Sequence, residues 1–146
     1  MPNKKTKTSL FYNLLSALFA FVLWGSWAYY INSMQSLEAS NLETSNTGII
    51  AGLTQGTASF IITFIIVHLV TRIYNFLHTS ASINLLAIKL VAPAVLTVSI
   101  TGTGLFIIHN IMNTPHIAKT IAPALLVAFL FSLFTAYKLN NTKSER

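Results

Sequence analysis

The chain has 146 residues, of which 53% are hydrophobic and only 8% charged, and its mean hydropathy is +0.65. A soluble domain carries about 25% charged residues, so this composition cannot cover a water-facing surface and excludes a soluble fold. The net charge of +6 reads as a sign of membrane orientation rather than nucleic-acid binding, and the absence of cysteine excludes disulfides, thiolate metal sites and thiol catalysis.

Crossing ~30 Å of hydrocarbon at ~1.5 Å per residue takes a helix of about twenty apolar residues. Residues 1–9, with Lys4, Lys5 and Lys7, form a basic cytoplasmic N-terminus. The first span covers residues 10–31 without a charge. It exceeds the ~7–15-residue core of a secretory signal, which makes it a retained anchor. The second covers 49–71, ends at Arg72, and continues as helix toward Leu77. The third, 86–108, contains Lys89 and Pro93 together with Thr97, Ser99, Thr101 and Thr103; the fourth, 117–137, is bounded by Lys119 and Lys138. Residues 139–146 form a cytoplasmic tail, and both chain ends are expected to be loose. The expected fold is an all-α integral membrane protein: a four-helix transmembrane bundle over residues 10–138, N-in/C-in.

Orientation follows from the basic residues. Lys4, Lys5, Lys7, Arg72, Lys89, Lys138, Lys143 and Arg146 fall on one side of such a bundle and Lys119 alone on the other. The positive-inside rule assigns the richer side to the cytoplasm, here that of a bacterial inner membrane. Trp24, Trp27, Tyr29 and Tyr30 then sit at the outer headgroup level. Asn32–Thr47 forms the first external loop, carrying Glu38 and Glu43. His109–Lys119 forms the second, with Thr114 as N-cap and Pro115 as first helical residue of the last span.

Helices in lipid associate through close backbone approach and interhelical hydrogen bonds, because lipid is as apolar as leucine. Gly48, Gly52 and Gly56 recur every four residues and make a narrow groove on the second span. Thr120, Ala124, Ala128, Ser132 and Ala136 make a smooth stripe on the fourth. Either face can pack within one protomer, or mediate homo-oligomerisation or docking of another membrane protein.

Gln55, Ser59, Thr63, Thr97 and Thr101 form a candidate polar seam, with Gly104 assigned to the same side of the third span. The seam reads either as structural glue or as a hydrophilic path. His68 lies opposite Ser59 and one turn from Arg72; with Lys89 these make a candidate inner site for an anionic headgroup or substrate. His109, His116 and Lys119 cluster around the second external loop, as ordinary loop residues or as contacts to phosphate headgroups. Two imidazoles without a third protein ligand do not make a metal site.

No Asp occurs, and Glu38, Glu43 and Glu145 fall in loops or tail, so carboxylate acid–base chemistry lacks its parts. No GxSxG, HExxH or phosphate-binding glycine loop is present. The expectation is a non-enzymatic protein without cofactor, with membrane lipids as neighbours and no nucleic-acid partner. It acts through helix packing as an accessory or assembly subunit or homo-oligomer. The alternative is a small transporter, flippase or channel component for a neutral or anionic substrate, a lipid-linked one included.

Overall fold

The computed structural model describes residues 10–34, 45–80 and 86–144. Expectations concerning residues 1–9, Glu38, Glu43, Glu145 and Arg146 lie outside the described residues. Four helices make up the fold: α1 Leu10–Ser33, α2 Ser45–Ser80, α3 Leu86–Ile111 and α4 Ile117–Ser144. All four are long and apolar enough to cross a membrane. Phe19, Phe76, Ile111, Leu126 and Phe134 lie on the exposed surface, which fits an integral membrane protein better than a water-facing one.

The helices outrun the spans expected from hydropathy. α2 begins before residue 49 and runs past Arg72 through Leu77, as expected, to Ser80, because no Gly or Pro interrupts Arg72–Ser80 and helix continues where apolarity fades. α1 absorbs Asn32, which was expected in the first loop, and buries it. α4 runs through most of the expected tail to Ser144. Its Asn140 Oδ1 accepts a hydrogen bond from the buried Tyr74 hydroxyl at 3.3 Å, tying the last turns of α4 to α2.

The helices follow one another around the bundle, α1 packing most closely on α2 and α3 on α4, while α2 also reaches α4 and α1 touches α4 sparsely. The end where α1 and α3 finish is called here the Trp27 end, and the opposite one the Tyr74 end. At the Tyr74 end Ile66, Val70, Tyr74 and Ala136 form an apolar core, with Ile62, Leu90 and Ala128 packed against it.

The glycines of α2 face α1 of the same chain. A Cβ on Gly52 would stand 3.0 Å from the Gly25 carbonyl oxygen, and one on Gly25 3.0 Å from the Gly52 carbonyl oxygen. Gly56 is equally close to the Phe21 carbonyl, and Gly48 abuts Ser33. At Gly25, Gly52 and Gly56 the nearest atoms are backbone carbonyl oxygens that cannot give way, whereas at Gly48 the nearest is the Ser33 hydroxyl. Gly104 differs: nothing lies within 4 Å of its Cβ position, and it sits on the exposed side of α3 rather than with Thr97 and Thr101.

Gly52→Leu therefore forces α1 and α2 apart and is expected to destabilise the bundle by about 1–3 kcal/mol or more. Gly104→Ala fills open space and is expected to be neutral or to stabilise by up to ~1 kcal/mol through helix propensity. Denaturation of the two variants in detergent, followed by circular dichroism, checks the contrast.

Candidate functional site

Hydrogen bonds between α1 and α4 are confined to the Trp27 end among the described residues. Pro123 has no N–H, so the Lys119 carbonyl one turn earlier loses its ladder partner. The Trp27 indole Nε1 donates to that carbonyl at 3.0 Å, replacing the missing bond from a neighbouring helix. Asn32, buried among these groups, donates through Nδ2 to the Ala28 carbonyl at 2.7 Å and to Thr120 Oγ1 at 2.9 Å. Its Oδ1 accepts the backbone N–H of His116 at 3.2 Å. The Thr120 N–H bonds the His116 carbonyl at 2.9 Å, so His116, not Thr114, is the first acceptor of α4. The expected Thr114–Pro115 start is thereby corrected: α4 begins at Ile117 and is capped from α1.

Away from this clamp α1 and α4 separate, leaving a cleft of about 520 Å³. That falls in the range of small-molecule pockets, ~300–1,000 Å³. Its walls are α1 from Asn13 to Trp24 and α4 from Ala124 to Phe131, and α2 and α3 form its floor. The walls are largely apolar. Ser59, Thr63 and Thr101 put hydroxyls on the floor, Asn13 and Ser16 add polar groups on α1, and no charged side chain lines the cleft among the described residues.

Behind the floor runs a buried polar chain. α3 ends in a Schellman turn: the Thr114 N–H bonds the His109 carbonyl at 2.9 Å and the Asn113 N–H the Asn110 carbonyl at 3.1 Å, with Asn113 at φ 53°. This turn returns Thr114 to His109, whose Nδ1 lies 2.8 Å from Thr114 Oγ1. His109 Nε2 lies 2.7 Å from Gln55 Oε1. Gln55 Nε2 donates to Ser59 Oγ at 3.3 Å. With the Gln55 amide nitrogen directed to Ser59, its oxygen needs a proton from Nε2, and the network assigns the Nε2–H tautomer of His109. Every bond then points one way: Thr114 to His109, His109 to Gln55, Gln55 to Ser59.

His109 thus departs from the expected loop or headgroup role. It lies inside α3, fully buried, with both ring nitrogens engaged. It is also unavailable to a two-histidine cluster with His116. Of the expected seam, Gln55, Ser59 and Thr101 belong to the chain or the floor beside Thr63. Thr97 is fully buried, and its hydroxyl, like that of Ser132 on α4, has no hydrogen-bond partner. Thr120, Ser132 and Ala136 turn into the bundle, and Ala124 and Ala128 line the cleft. His68 and Arg72 are exposed and Lys89 half-buried near the Tyr74 end, while His116 and Lys119 take part at the other end through backbone groups.

Sequence reasoning missed Asn32, Trp27 and the role of His109. The signals were available. Thr97, Thr101, Leu105 and His109 recur every four residues, which places His109 on the same inward face. Asn32 follows Gly25 and Ala28 on the buried side of α1. Proline inside α4 leaves a carbonyl that needs a donor. No protein-family model, curated protein or solved structure matches the chain.

Two double-mutant cycles check this geometry. Gln55→Ala and His109→Ala are expected to couple by roughly 0.6–2 kcal/mol in detergent unfolding, the scale of an interhelical bond in a membrane protein. Trp27→Phe leaves the Lys119 carbonyl without its donor and is expected to destabilise by about 1 kcal/mol or more. In a Pro123→Ala background the residue 123 N–H takes that carbonyl, and Trp27→Phe loses most of its effect.

Proposed function

We propose that this is a non-enzymatic membrane protein that admits an amphiphile through the cleft between α1 and α4, as a small transporter or flippase component. The observation that carries the reading is the cleft itself: shut at the Trp27 end by Asn32, Thr120 and Trp27, open along the bundle toward Asn13, and floored by hydroxyls near mid-span. An apolar trough with a polar floor suits a chain that stays in hydrocarbon while its polar head travels along the protein interior. Self-association through the glycine groove is the less favoured reading, because α1 of the same chain fills that groove.

The proposed setting is a bacterial inner membrane with both termini in the cytoplasm. Arg72, Lys89 and Lys138 lie at the Tyr74 end, against Lys119 at the other, and basic residues favour the cytoplasmic face. In this orientation the cleft opens toward the inner leaflet.

Proteoliposomes test the proposal. Fluorescently labelled monoglucosyl diacylglycerol and phosphatidylglycerol are read by chemical quenching from outside, and the uncharged glycolipid is expected to cross faster with the protein than without it. Ala20→Phe and Ala128→Phe, which fill the cleft, are expected to lower the protein-dependent rate at least several-fold, and Gln55→Ala to lower it as well. Rates equal to those of protein-free liposomes for both lipids would end this reading.

A further inference from the structure

We infer that the cleft floor selects an uncharged head that both donates and accepts hydrogen bonds, an aliphatic alcohol or primary amide, over an anion or an acceptor-only carbonyl. This rests on the proposed admission of an amphiphile and adds the chemistry of its head. What decides the head is which hydroxyl hydrogens the floor has left to give.

Thr63 and Thr101 have none. The Thr63 hydroxyl donates to the Ser59 carbonyl at 2.7 Å, and that of Thr101 to the Thr97 carbonyl at 2.9 Å. Toward the cleft both therefore present lone pairs and act as acceptors. Ser59 is the opposite case. One of its lone pairs is taken by Gln55 Nε2 at 3.3 Å, while its own hydroxyl hydrogen has no acceptor among the described residues. The residue is more than nine-tenths buried and lines the cleft. A buried hydroxyl hydrogen without a partner is costly, and an acceptor in the cleft satisfies it.

The chain behind Ser59 makes it the donor. Thr114 gives its hydrogen to His109, His109 to Gln55 and Gln55 to Ser59, so each group is polarised toward the next and Ser59 stands at the delivering end. Gln55 and His109 act here as positioning residues: neither lines the cleft.

One donor beside two acceptors fits a hydroxyl or primary amide, whose oxygen takes the Ser59 hydrogen and whose own hydrogen goes to Thr63 or Thr101. An ester or ketone satisfies Ser59 alone. A sulfonate or phosphate brings charge against two sets of lone pairs, with no cation lining the cleft, at a depth where an unpaired charge is strongly disfavoured.

Trp24 lines the cleft and supplies the readout. The full chain, in detergent micelles, is titrated with brominated C18 chains bearing a hydroxyl, a primary amide, a methyl ester, a sulfonate or no head. The quenching of wild type in excess of that of Trp24→Phe isolates Trp24. The alcohol and amide are expected to quench at about 3–30-fold lower mole fraction than the ester or headless chain, the ratio one or two membrane hydrogen bonds give, with the sulfonate weakest. Ser59→Ala is expected to remove the preference of alcohol over headless chain. Thr63→Val with Thr101→Val is expected to bring the alcohol down to the ester, while Ser99→Ala, on the exposed side of α3, leaves the order unchanged. Equal quenching by all heads, unaffected by Ser59→Ala, overturns the head selectivity and leaves amphiphile admission standing. Absence of Trp24-specific quenching by any chain overturns both.

Discussion

The backbone contact between α1 and α2 sets the geometry of the rest of the bundle. Gly25, Gly52 and Gly56 let two helices approach until carbonyl oxygens stand where side chains would otherwise begin. Such an approach needs residues without Cβ atoms on both helices, and in lipid it replaces the hydrophobic effect as the means of association. Held this closely to α2, α1 touches α4 only sparsely. It meets α4 at the Trp27 end, where Asn32 and Trp27 supply hydrogen bonds that α4 lacks, and diverges below. The cleft is the space left by that divergence.

Both halves of the clamp repair defects in helix ladders. Pro123 removes an N–H inside α4, and the first turn of α4 has N–H groups without partners of their own. A helix end in water finds solvent for such groups, whereas within a membrane they must find protein. Trp27 and Asn32 fill these vacancies from α1, so the defects decide where the two helices join. The same economy organises the polar chain, in which a helix-terminating turn at Asn113 brings Thr114 to His109 and the orientation of the Gln55 amide sets the direction of hydrogen bonding through to Ser59. An unmatched polar group at this depth is costly, and at its Ser59 end the chain brings to the cleft a hydroxyl hydrogen with no acceptor among the described residues.

The fold class was legible because hydropathy and length suffice for it: four apolar stretches become four helices. Boundaries were less legible. Helix propensity outlasts apolarity beyond Arg72 and beyond Lys138, and a hydropathy window stops where apolarity stops. The candidate site was legible in part. Gln55, Ser59, Thr63 and Thr101 emerge from their spacing and polarity alone, and Gly48, Gly52 and Gly56 from theirs. What spacing cannot supply is the identity of the facing helix: nothing in the α2 repeat says that Gly25 lies opposite. His109 was misplaced because a histidine beside a short connection looks like a surface residue until its four-residue register with Thr97 and Thr101 is given more weight than its nearness to the loop.

The central claim is that α1 and α4 touch at the Trp27 end and part toward the Tyr74 end. The chain contains no cysteine, so paired nitroxide labels can be placed without background. One pair at residues 30 and 119 spans the clamp, and one at residues 16 and 131 spans the mouth of the cleft. In lipid nanodiscs the account predicts strong dipolar broadening for the first pair and markedly weaker broadening for the second. Equally strong broadening for both would mean that the two helices run together along their whole length, with no cleft between them.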